Sequence, residues 1–249
     1  NHAARAPESM TRNEQHPCDA SPTKGRILYG RRHGRSLRPG RRDLFDTLLP
    51  QLSFVLPSRG LLDPATLFPK PPAEVWLEIG FGGGEHLAAQ ADTHLETGFI
   101  GCEPFINGVA SLLAKIKKKE LTNIRIFPDD GRALLECLAE SSLGRVFILF
   151  PDPWPKKRHA KRRLISPQIV DVMAHVMKDN AELRLASDDP EYICWMLEHV
   201  RRHEAFQWLA KGPADWRQRT PDWPATRYEA KALRTSRSCA YLRFCRLPR

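Results

Sequence analysis

The amino-acid sequence predicts an α/β fold with a doubly wound, mostly parallel sheet. Three observations point there. Short apolar runs of strand length alternate with segments of helical periodicity from residue 74 onward. The run at residues 146–150, Val146-Phe147-Ile148-Leu149-Phe150, is apolar throughout, as a strand covered on both faces requires. Glycines and acidic residues gather just after the strands, where ligands bind in such sheets.

The elements follow in order. Val75-Trp76-Leu77-Glu78-Ile79 forms a first strand ended by glycines, and helix signals run from Gly84 to about Ala91. Gly98-Phe99-Ile100-Gly101-Cys102 is a second strand. Ile106, Val109, Leu112, Leu113 and Ile116 then recur at helical spacing, with Lys115, Lys117, Lys118 and Lys119 mostly on the other face. Ile124-Arg125-Ile126-Phe127 is a third strand, residues 132–140 a helix, and residues 146–150 a fourth strand. A helix from Pro167, a strand at residues 183–186, a helix from Glu191 and a strand at residues 241–244 complete the series. Two units are expected: a flexible basic arm over residues 1–42, of which the first 23 read as disordered, and a catalytic domain over residues 43–249.

Composition narrows the class. Among 249 residues, 41% are hydrophobic, enough for a sizeable core, and no apolar run approaches the roughly 18 residues of a membrane span. The balance of 39 Lys and Arg against 29 Asp and Glu gives a net charge of +10, which favours anionic partners. The excess is concentrated. Every charged residue from Lys24 to Arg42 is basic, and a second block, Lys156-Lys157-Arg158 with Lys161-Arg162-Arg163, follows Trp154. Two such blocks favour nucleic acid over a merely solvated face. The six cysteines form no CxxC pair and lie mostly in apolar runs, which argues against a metal site and fits core residues of a reducing, cytoplasmic setting.

The strand ends carry the chemistry. Strand one is followed by Gly80, Gly82, Gly83 and Gly84. Glu85 stands where the dinucleotide fingerprint needs a glycine, which disfavours a nicotinamide oxidoreductase. Glu78 ahead of the glycines would repel a pyrophosphate but suits a cofactor with a positive amino group and a sulfonium. Glu103 after strand two can accept both hydroxyl hydrogens of a ribose, and Asp129 or Asp130 after strand three an adenine amino group. Together they describe a nucleoside site with no lysine or arginine placed for phosphate. After strand four, two prolines hold Asp152 in an extended loop before Trp154 and the basic run. A small-molecule substrate is disfavoured by the basic blocks. A nucleic-acid-binding module with a degenerate cofactor site is disfavoured by intact acids at three strand ends. Residues 226–229 sit in a polar segment that composition alone reads as a surface loop.

Two motifs carry a family resemblance. Leu77-Glu78-Ile79-Gly80-Phe81-Gly82 resembles the cofactor motif of the bacterial tRNA (guanine-N7)-methyltransferases. Phe150-Pro151-Asp152-Pro153-Trp154, followed by Lys156, Arg158, His159, Lys161, Arg162 and Arg163, is similar to that family's longer and more specific signature. The likeness covers about residues 26–246, including the arm at Arg31-Arg32-His33-Gly34-Arg35. It implies a Rossmann-like fold of the class I methyltransferase type. It implies S-adenosylmethionine held through Glu78, the glycines, Glu103, Asp130 and Asp152, with Asp152 as the catalytic residue. It further implies tRNA contacts at Lys156, Asp188, Thr226, Arg227, Tyr228 and Glu229, and the guanosine at tRNA position 46 as target, with neither metal nor membrane involved.

Overall fold

Val75, Leu77 and Ile79 point to one side of the first strand and Trp76 to the other, and all four are buried. That alternation, with apolar side chains both ways, requires layers on both faces. The computed structural model describes residues 28–249; the expectations for residues 1–27, the first part of the basic arm and Cys18 among them, lie outside the described residues. The strands are β1 (Glu74–Ile79), β2 (Thr97–Cys102), β3 (Ile124–Phe127), β4 (Leu143–Leu149), β5 (Met177–Ser187), β6 (Phe206–Trp208) and β7 (Ala240–Arg246). They form one sheet in the order β3-β2-β1-β4-β5-β7-β6. The pairs from β3 to β5 are parallel, and β7 runs antiparallel to β5 and β6. Strands are added outward in one direction from β1 to β3 and in the other from β4 to β5, so the crevice at the carboxyl ends of β1 and β4 is the switch point where ligands bind.

The described helices are α1 (Pro39–Thr47), α2 (Leu49–Leu52), α3 (Glu85–Thr93), α4 (Ile106–Lys119), α5 (Gly131–Cys137), α6 (Pro167–Val176), α7 (Pro190–Arg201), α8 (Ala214–Arg217) and α9 (Arg227–Arg234). Leu134, Leu135, Ile169, Val170, Met173, Tyr192 and Met196 of α5, α6 and α7 cover one face of the sheet. Leu44, Leu87, Val109, Leu112, Leu113 and Ile116 of α1, α3 and α4 cover the other. Each such side chain taken from water contributes about 1.5–3 kcal/mol. Local signals set the helix starts. Ser166 caps α6 through the Ile169 amide with Pro167 at the first position, and Asp189 caps α7 through the Tyr192 amide.

Several boundaries differ from the sequence reading. α1 begins at Pro39, inside the stretch read as arm, because Pro39 opens a helix whose Leu44 is buried. β4 ends at Leu149, one residue early, because Phe150 adopts φ 52° and leaves the strand plane. β5 reaches back to Met177 through a polar stretch that includes Asn180 at φ 64°, and the three-residue β6 carried no signal. No described helix is long and apolar enough to cross a membrane.

Candidate active site

The turn after β1 is built from glycines because its backbone leaves the region other residues favour. Gly80, Gly82 and Gly84 have φ values of 76°, 55° and 74°. The turn is also crowded. A Cβ on Gly108 of α4 would sit 2.3 Å from the Gly82 carbonyl oxygen, so α4 presses its first turn on the glycine loop. Glu103, at the end of β2, ties the two together. Its Oε2 accepts from the Gly82 amide at 2.7 Å and its Oε1 from the Phe105 amide at 3.0 Å. Burial raises the Glu103 pKa, the two amide bonds and Arg227 draw it back, and nearby Asp152 adds to the rise. A carboxylate has about four acceptor sites, so Glu103 keeps capacity for further donors.

These residues border a cleft of about 670 Å³, the size of a site for a nucleoside-like ligand. Gly80, Gly82, Glu103, Asp130, Asp152 and Tyr228 all line it. The two acids after β3 separate here. Asp130 lines the cleft, caps α5 through the Arg132 amide at 3.0 Å and is clasped by the Arg132 guanidinium at 2.6–3.0 Å. Asp129 does not line it; its Oδ1 meets Arg32 at 2.7 Å. Arg31, Arg132 and Arg162 do line the cleft, where the strand-end pattern gave no lysine or arginine placed for phosphate. Arg132 is committed to Asp130, and the Arg162 guanidinium lies 4.5 Å from the Tyr29 ring centroid and 5.1 Å from that of Trp154.

The loop after β4 holds the exposed Asp152 between two residues in the left-handed region, Phe150 at φ 52° and Trp154 at φ 45°. Such conformations cost on the order of 1–3 kcal/mol each and persist where surrounding contacts over-determine them. Those contacts are present. The Phe150 amide donates to Ala186 at 2.8 Å, and its ring stacks on Tyr228 with centroids 6.4 Å apart. Arg163 donates to the Pro153 carbonyl at 2.8 Å and to Glu191 at 2.6 Å. The mid-chain basic block therefore divides. Lys156, Lys157, Arg158 and Lys161 are exposed, whereas Arg163 is a buried strut beneath the loop. Among the described residues the Asp152 carboxylate has no hydrogen-bond or ion-pair partner.

The remaining predicted residues spread around this centre. Glu78 is buried in β1, bonded to His86 Nδ1 at 2.8 Å, and lines a small cavity of about 10 Å³ beside the cleft. Gly80, Phe150 and Tyr228 border both spaces. Thr226, Arg227, Tyr228 and Glu229 open α9 rather than a loop. Thr226 caps it through the Glu229 amide at 3.2 Å, while the Glu229 carboxylate turns inward instead of reaching back to the cap. Tyr228 crosses the glycine turn, since a Cβ on Gly82 would come 2.8 Å from its ring. Arg227 is exposed beside Gly83. Glu229 points inward, is 6% exposed, and accepts from Arg219 at 2.7 Å and from Tyr241. Asp188 lies outside the cleft lining and pairs with Arg237 at 2.9 Å. Lys156 immediately precedes the 3₁₀ turn Lys157–Arg162.

Sequence reasoning missed the docking of the arm. The Ile106 amide donates to the Arg32 carbonyl at 3.0 Å, the Gly34 amide donates to Asn107 at 3.0 Å, and Asn107 donates to the Arg35 carbonyl at 2.7 Å. Leu28, Tyr29, Gly30 and Arg31 thus form one wall of the cleft. Tyr29 was the available signal, a lone aromatic in a basic stretch. Cys102, Cys137 and Cys239 are buried and Cys194 is exposed, and no metal-binding cluster occurs among the described residues.

A switch-point cleft with acids at successive strand ends defines the class I S-adenosylmethionine-dependent methyltransferases. The family described as "Putative methyltransferase" matches residues 72–242. The 16S rRNA methyltransferase KamB shares the fold, with a TM-score of 0.51 and 16% identity over 71% of this chain and 89% of that one. A protein of Rhodospirillum rubrum named tRNA (guanine-N(7)-)-methyltransferase is 53% identical over 92% of this chain and 91% of its own. Relatives of the same name from Brucella melitensis and Paramagnetospirillum magneticum are 45% and 50% identical, over 94% and 83% of this chain and 99% and 87% of theirs. The chain belongs to the tRNA (guanine-N(7)-)-methyltransferase family.

Proposed function

We propose that this chain transfers the methyl group of S-adenosylmethionine to N7 of a guanine in tRNA, with the guanosine at position 46 of the variable loop as its target. The observation that carries the reading is the convergence of Glu103, Asp130 and Asp152 on one cleft at the carboxyl ends of β2, β3 and β4. The residues fit the cofactor. Glu103, buried yet with acceptor capacity left, suits the ribose diol. Asp130 suits the adenine amino group, and Glu78 the amino group of the methionine part. The positive-φ glycines let backbone lie against the ligand.

The cofactor supplies an electrophilic methyl on a sulfonium. Guanine N7 has a lone pair and no proton, so the chain needs no general base. Its residues act by positioning and electrostatics. Asp152 has no competing partner among the described residues, faces the cleft, and is held by strained neighbours. It accepts from guanine N1–H and the exocyclic amine and offsets the positive charge gained by the product ring. Lys156, Lys157, Arg158 and Lys161, with the arm from Arg31 to Arg38, meet phosphates and set the orientation of the RNA. Arg227 and Tyr228 face the RNA at the cleft mouth, while Thr226 and Glu229 hold α9 in place beneath them. Asp188 positions Arg237 at the same edge. The target base must leave its stack to reach the cleft. With tRNA as its substrate, the enzyme is expected to act in the cytoplasm.

The test is incubation of the protein with methyl-labelled S-adenosylmethionine and two tRNA transcripts, one with guanosine and one with adenosine at position 46, followed by nucleoside analysis. Labelled 7-methylguanosine from the first alone is expected. Label at another guanosine would overturn the position, and no label in RNA would overturn the substrate.

A further inference from the structure

Behind the glycine turn, Glu78 heads a chain of buried polar side chains whose other members, His86 and Gln90, have no part in the transfer described above. Glu78, His86 and Gln90 are 3%, 2% and 2% exposed. His86 Nδ1 lies 2.8 Å from Glu78 Oε2. His86 Nε2 lies 3.4 Å from Gln90 Nε2, and that same amide nitrogen donates to the Asp222 carbonyl at 2.7 Å. The Asp222 side chain is fixed in turn by Arg184 at 2.6 Å. Proton positions follow from this order. A backbone carbonyl only accepts, so the Gln90 atom facing it is the amide nitrogen. An amide nitrogen only donates, so the ring nitrogen facing it, Nε2, accepts. His86 is then the tautomer with its proton on Nδ1, and it donates to Glu78. The ring cannot turn freely, because it stands edge-on to Phe147 with centroids 4.7 Å apart.

We propose that His86 is a positioning residue for cofactor binding. Its Nδ1–H fixes one carboxylate oxygen of Glu78 and leaves Oε1, which no described residue bonds, for the positive amino group of the ligand. The Gln90 link carries this fixation to Asp222, from which residues 223–226 lead into α9 and Tyr228. The proposal rests on the reading that Glu78 contacts the cofactor. It adds that Glu78 alone, without the imidazole, does not suffice.

Calorimetry of the full chain with S-adenosylmethionine and with S-adenosylhomocysteine, both of which carry the amino group, separates the cases. His86→Leu fills the space without a donor, and both ligands should bind roughly ten- to hundredfold more weakly, the scale of one hydrogen bond to a charged partner. His86→Asn places an amide N–H near the position of Nδ1 and should recover most of that loss. His86→Gln places its amide near Nε2 and should not. In steady state the KM for S-adenosylmethionine should rise more than kcat falls. Where His86→Leu fails to fold, the comparison of Asn with Gln decides alone. Affinity within twofold of wild type in His86→Leu, or equal affinities in the Asn and Gln variants, would overturn the role of His86. Glu78→Gln distinguishes this from a failure of the reading beneath it: unchanged affinity there removes Glu78 from the cofactor site altogether.

Discussion

Replacing Arg163 by alanine should unfold the chain at markedly lower denaturant, although sequence alone counts this residue as one more surface cation. Its side chain is 2% exposed while that of its ion-pair partner Glu191 is 61% exposed. Glu191 can be rehydrated, so the ion pair itself contributes under about 1 kcal/mol. The larger losses lie elsewhere. The Pro153 carbonyl loses a donor at 2.8 Å, which costs about 1–2 kcal/mol for a half-buried acceptor. The guanidinium also leaves the Trp195 and Tyr192 rings, whose centroids lie 4.8 and 5.4 Å away, for about 1–2 kcal/mol more. A vacated site adds about 1 kcal/mol, giving about 3–6 kcal/mol in total. Arg163→Lys keeps the charge but cannot serve Pro153 and Glu191 together, and should recover less than half. Urea denaturation followed by fluorescence measures both. Methyl transfer should fall as well, at temperatures where the variant remains folded, since the strut holds Phe150 and Trp154 in their left-handed conformations. A loss below about 1 kcal/mol for Arg163→Ala would refute this assignment of the strut.

Three further outcomes follow from the site. On the proposed reading Glu103 accepts both ribose hydroxyls best as the carboxylate, and its folded pKa is raised above the ordinary 4.5, chiefly by burial; cofactor affinity should therefore fall on acidification, starting at a higher pH than for an unperturbed glutamate, and Glu103→Gln should abolish that dependence in calorimetry. Asp129→Ala should leave S-adenosylmethionine affinity within about threefold, because Asp129 lies outside the cleft lining and bonds only the exposed Arg32 and the Asp130 backbone amide, whereas Asp130→Ala should lose about tenfold and about 1 kcal/mol of the α5 cap. Neutralising the exposed Arg31, Arg35 and Arg38 to glutamine should weaken tRNA binding and lower its salt slope by roughly 0.7–0.9 for each phosphate no longer neutralised, read by filter binding across salt.

The central strands were legible because β1, β2 and β4 are buried on both faces, and only apolar runs satisfy that. Proline and cap residues marked α6 and α7 for the same local reason. What escaped depended on tertiary contacts. β6 is three residues held by β7, and α9 reads as polar because Thr226 and Glu229 face inward only through Arg219 and Tyr241. Glu103, Asp130 and Asp152 could be located from strand ends, since topology alone brings those ends together. Their partners could not. Whether Asp129 or Asp130 faces the cleft is settled by Arg32 and Arg132, from segments far apart in sequence for the first and adjacent for the second. Arg163 and Arg162 sit in one basic run, yet one lies under the loop and the other between two rings. Charge runs report composition, and only packing reports which members remain free.

The claim that Asp152 is the group against which methyl transfer occurs is tested most directly by single-turnover methylation of a guanosine-46 transcript, wild type against Asp152→Asn, from about pH 6 to 9. The amide keeps an acceptor but loses the anion and turns a donor toward guanine's own donors. The rate should fall by roughly two to three orders of magnitude, the scale of removing one electrostatic interaction from the transition state, while the wild-type rate shows no limb from a general base near neutrality. A rate for Asp152→Asn close to that of wild type would contradict the account.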